Sequence, residues 1–121
     1  MHMKRGNLIR IYNAIKEVKV GSLDTDCIYS LLKLKIELAD PIKKIGEADQ
    51  KAAEDLKPKD FKDGDKDSIM KWNIDYAQFM NKYMDEEVDI NLPVLKESDI
   101  ISICKENNLS LEDAESLMSL K

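Results

Sequence analysis

The residues of this chain most suggestive of chemistry lie in "KDGDKDS", positions 62 to 68, where Asp63, Asp65 and Asp67 alternate. Oxygen ligands alternate in this way in calcium-binding loops. A helix–loop–helix calcium site beginning at Asp63 would also need glycine at its sixth position and a bidentate glutamate at its twelfth. Those positions hold Ser68 and Ile74, and Lys62 and Lys66 would repel a cation. The stretch therefore reads as a solvated loop whose last acids favour the N-terminus of the following helix. No metal ligand is assigned.

Other reactive side chains are few. Cys27 and Cys104 stand far apart, beside apolar neighbours, and form no CxxC pair. Reduced thiols and a cytoplasmic setting are expected. The only histidine is His2, so neither thiol has an obvious base. Acid pairs such as Glu86–Glu87 and Asp85–Asp89 could in principle hold a metal or divide acid and base roles. Without a companion motif they read as the solvated end of a helix. A phosphate loop, a nucleophile elbow and zinc spacing are all missing. The expectation is a non-enzymatic protein with no cofactor.

Apolar periodicity gives the elements that must position these groups. Leu8, Ile11, Tyr12, Ile15 and Val18 mark a helix over 7–19, with Asn7 as cap and Gly21 just past its end. A long helix is predicted over 25–56, capped by Thr25, with the stripe Ile28, Leu31, Leu34, Leu38, Ile42, Ile45, Ala48, Ala52 and Leu56. Leu31, Leu38, Ile45 and Ala52 recur at sevens, close to coiled-coil type. Pro41 should kink it near Ala39–Asp40 or divide it into two stacked helices. A loop over 57–67 leads to a helix over 68–85. Its stripe of Ile69, Trp72, Tyr76, Phe79, Met80, Tyr83 and Met84 reads as a core face. Helix, loop and helix suggest an antiparallel hairpin.

Residues 88–92 change to a period of two and predict a short strand, either an edge or half of a pair with the N-terminal lead-in. Short helices follow over 97–120, one capped by Ser98 and stopped at "NN", the next opened by Ser110 and Asp113. The fold expected is mainly α: one helical domain over 1–121, with a long kinked helix in an antiparallel hairpin or bundle, short C-terminal helices and a minor two-stranded β element.

Charge narrows the partners. The chain of 121 residues carries a net −5, an unfavourable balance for binding nucleic acid. Residues 1–20 hold Lys4, Arg5, Arg10, Lys16 and Lys19 against one acid, Glu17, whereas acids dominate from Asp85 to Glu115. The basic end could dock on the acidic end, within the chain or between chains. No apolar run is long enough to cross a membrane. No signal peptide is evident.

The order of segments from "NLIRIYNAIKEVKVGSLDTDCIYSLLKLKIELADPIKKI" to "VDINLPVLKESDI" and a short leucine-rich terminal helix resembles small uncharacterised phage and prophage proteins. That resemblance implies a bacterial, mobile-element setting and no activity. The function expected is interaction or assembly through helical packing, by self-association or with a protein partner. Leu31, Leu38, Ile45 and Trp72 are the anchors. The alternative is a small acidic regulator, of antitoxin or anti-repressor type, that covers a basic partner.

Overall fold

Three of the five described helices start where a side chain accepts from their free N–H groups. A computed structural model describes residues 1–59, 61 and 63–121, and among these it contains β1 (His2–Lys4), α1 (Arg5–Ile15), α2 (Thr25–Asp55), α3 (Lys66–Asp85), β2 (Glu87–Asp89), α4 (Glu97–Asn107) and α5 (Leu111–Met118). Asp60 and Lys62, within the loop predicted over 57–67, lie outside the described residues. The cap of α2 is Asp24, one residue before Thr25, and its carboxylate accepts from Cys27 N at 2.8 Å. Ser110 Oγ caps α5 by accepting from Asp113 N at 3.1 Å, as predicted. Asn108 stops α4 in the left-handed conformation, φ 51°.

Two further predicted caps do not form, since α1 and α4 start without a side-chain cap. Helix α1 begins before Asn7 because it grows directly out of β1, and Arg5 N donates to the carbonyl of Glu86 at 3.2 Å. Helix α4 begins at Glu97, ahead of Ser98. The predicted 7–19 helix also ends early, at Ile15. Its continuation is captured by α4: Lys19 N donates to Asn107 Oδ1 at 2.6 Å, and Asn107 Nδ2 donates back to Lys19 O at 3.0 Å. Gly21, at φ 34°, turns the chain there, where a Cβ would collide with the Glu106 carboxylate.

The two strands form an antiparallel pair with His2 opposite Asp89, Met3 opposite Val88 and Lys4 opposite Glu87. The N-terminal lead-in is thus the partner of the second strand, which is shorter than the predicted 88–92.

Helix α2 continues through Pro41 as one helix rather than two stacked ones. The proline removes the N–H that would bond the Glu37 carbonyl. The hairpin of α2 with α3 is antiparallel: Trp72 Nε1 donates to Ala53 O at 2.9 Å, and the Tyr76 hydroxyl donates to Asp49. Four residues forward on α3 correspond to four back on α2.

The core joins the stripe of α1 (Leu8, Ile11, Ala14, Ile15) to Cys27, Leu31, Leu34 and Leu38 of α2 and to Leu117 and Leu120 at the C-terminal end. Leu92, Leu95, Ile100 and Ile103 close it. The aromatic face of α3 is not part of this core, contrary to its periodicity. No residue of α3 is buried, and its stripe covers only the lower half of α2.

Leu38 is fully enclosed. Leu38→Ala should cost about 2–5 kcal/mol, read as a lower denaturant midpoint at unchanged slope.

Candidate interaction surface

Several of the groups singled out for chemistry have structural roles. Asp65 is the cap of α3: its carboxylate accepts from Asp67 N at 3.2 Å and from Ser68 Oγ at 2.9 Å. Among the described residues, no three of His, Cys, Asp and Glu gather as a metal site would need. Asp85 takes Lys4 Nζ at 2.8 Å, Glu86 takes Arg5 at 3.5 Å, and Asp89 takes the Met1 ammonium at 3.4 Å. The basic start of the chain is therefore seated on acids of the same chain. Arg5 adds a stacking contact, its guanidinium 3.9 Å from the Tyr83 ring centroid, and donates to the Tyr83 carbonyl at 3.1 Å. The Lys4 pKa is raised by the hydrogen bond and charge of Asp85.

Both thiols are free. Cys27 is buried, and its Sγ lies 4.0 Å from the Asp99 carbonyl. Burial, followed by the charges of Asp99 and Asp24, pushes this thiol up to about 11. Burial also raises Cys104. Neither is arranged as a nucleophile.

A cleft of about 340 Å³ opens beside Pro41, rimmed by Arg5, Asp40, Lys44 and Asp89 over Leu8, Ile45 and Val88. Each rim charge has its own partner: Lys44 with Asp40 at 3.0 Å, Asp89 with the N-terminus, and Arg5 with Glu86. The cleft presents no unspent charge to orient a ligand.

The anchors predicted from sequence separate into two groups. Leu31, Leu38 and Ile45 are buried, with Leu31 and Leu38 inside the main core and Ile45 outside it. The coiled-coil stripe is therefore consumed within the chain, where α1 covers its upper half, and is not presented to a partner. Trp72 is half-buried, edge-on to Phe61 at 5.3 Å, and pins the far end of the hairpin rather than the core.

A second stripe runs along the opposite side of the same helix. Tyr29, Leu32 and Ile36 are 64%, 54% and 62% exposed, although all three belong to an α-helix whose other face is the core. A surface helix normally turns a polar face to solvent opposite its core stripe. Two shallow grooves lie along the α1 side of this stripe and share Leu32 and Lys35. One, of about 210 Å³, is lined by Ile15, Val18, Val20 and Ile28, and the other, of about 520 Å³, by Tyr12, Ile36, Ala39, Ile42 and Lys43. Contiguous exposed apolar surface of this kind marks interaction sites. The 3–4 spacing of Tyr29, Leu32, Ile36 and Ala39 was the available signal for it in the sequence.

No helix is long and apolar enough to cross a membrane among the described residues. Comparison of the chain with family models, curated proteins and solved structures finds no match.

Two measurements test these assignments. The unfolded chain releases the Cys27 proton near 9.0 and the folded chain near 11, so between these values the folded state binds more protons and stability falls as pH rises. The loss at the top of this window should be on the order of 2 kcal/mol, and Cys27→Ala should lose that share of the alkaline slope. Separately, Ile36→Glu should leave the melting temperature unchanged to within about 2 °C. Leu38→Glu, two residues away, should prevent folding.

Proposed function

We propose that this chain is a non-enzymatic interaction or assembly protein that acts through the outer apolar face of α2. The observation that carries this reading is Tyr29, Leu32 and Ile36 in solvent, on a helix whose opposite side is already packed. Binding there requires no rearrangement of the core, because the face is preformed on a 31-residue helix. Burial of its apolar area supplies the driving force, roughly 25 cal/mol per Å² before the costs of association. The resemblance of the segment order to small phage and prophage proteins supports a phage or prophage origin.

The acidic-regulator reading is the weaker one. Asp85, Glu86, Asp89 and Glu97 are already paired with cations of their own chain, so much of the acidic end is spent internally.

The test is affinity capture from the native host, before and after prophage induction, of the tagged chain and of a Leu32→Glu/Ile36→Glu variant. Proteins recovered with the wild type should be lost with the variant. The same set from both, or nothing from either, not even the untagged native copy of the chain, overturns the reading.

A further inference from the structure

Resting on that reading of the α2 face, we infer that its occupant is a second copy of this chain. The two α2 helices lie antiparallel about a two-fold axis that passes between Ile36 and Ala39.

The exposed positions Tyr29, Leu32, Ile36, Ala39, Lys43 and Gly46 step by threes and fours, the spacing of a helix–helix seam. They span about 25 Å at 1.5 Å per residue. The two-fold sets Ile36 opposite Ala39, Leu32 opposite the Lys43 stem and Tyr29 opposite Gly46. Each layer meets a large side chain with a small or flexible one, so the helix axes can approach closely. Gly46 has nothing within 4 Å of where a Cβ would stand, leaving room for the tyrosine ring. A parallel pair would instead oppose Lys43 to Lys43 and Gly46 to Gly46, a repulsion and a void.

Charge along one edge of the seam agrees with the same axis. Lys33 and Asp40 flank the seam on one side, and the two-fold places Lys33 of each copy against Asp40 of the other, twice by symmetry. Asp40 already holds Lys44 at 3.0 Å, so the arriving lysine completes a lysine–aspartate–lysine cluster. On the other edge the Lys35 stem covers the partner copy's Ile42. At the outer ends Asp26 approaches Glu47 with Lys44 and Lys51 a turn away, and the seam stops there. A contact of this length is at the small end of specific interfaces.

Sedimentation equilibrium of the purified full chain, from low micromolar to several hundred micromolar, tests the pairing. The mass should rise from 13.9 kDa toward twice that value. Ile36→Glu should stay at the lower mass with unchanged helicity. Lys33→Asp should weaken the dimer roughly tenfold, and Lys33→Asp/Asp40→Lys should restore it, because the reversed pair is still complementary under the two-fold. A wild-type chain that stays monomeric throughout overturns the inference, as does a dimer indifferent to Ile36→Glu or a double variant no tighter than the single. If the chain is monomeric while the Leu32→Glu/Ile36→Glu variant still loses host proteins, the second copy is overturned and the interaction face stands.

Discussion

Burial of the α1 stripe between α2 and the C-terminal end is the constraint on which the rest of this structure depends. Leu8 and Ile11 are wholly removed from solvent, and they touch a core drawn from both ends of the sequence. That core contains no buried polar or charged side chain among the described residues, so it supplies cohesion through apolar area alone. Orientation comes from the perimeter. The strand pair fixes where α1 begins, the Asn107 amide fixes where the chain leaves it, and Leu95 N to Leu120 O, at 2.8 Å, ties the C-terminal end to the segment before α4.

The charge asymmetry along the sequence acquires a physical role in this arrangement. The ion pairs of Lys4, Arg5 and the N-terminus are exposed or partly so, and each alone contributes little to stability. Arg5 is the exception in kind. It combines an ion pair, a carbonyl hydrogen bond and a stacked aromatic ring, and so joins the start of α1 to the end of α3.

Much of the fold was legible because it is local. The long helix, the short strand, the Asn108 stop and the Ser110 cap are all written within a few residues of where they act. What escaped turned on a one-residue choice of cap or on neighbours distant in sequence. Thr25 lost its capping role to Asp24 by one residue, and Asn7 lost its own to the incoming strand. The Trp72–Tyr83 stripe has the spacing of a core face, yet nothing packs on the far side of α3, and periodicity carries no information about that. The candidate site was harder still. The upper half of α2 carries two apolar stripes, and the sevenfold regularity belongs to the one through Leu31 and Leu38. Which stripe is covered depends on where α1 lands. The answer left Tyr29, Leu32 and Ile36 outside.

The absence of any buried residue in α3 means that the molecule has two tiers of cohesion. Helix α3 is held by one flank of half-covered aromatics, whereas the upper half of α2 packs one face on a closed apolar core. Opening of α3 as a unit exposes far less apolar surface than opening the whole chain, so its amides exchange through a lower free-energy step. The hairpin arm is thus the part that can vary in sequence, or detach, while the helix that carries the exposed face keeps its shape.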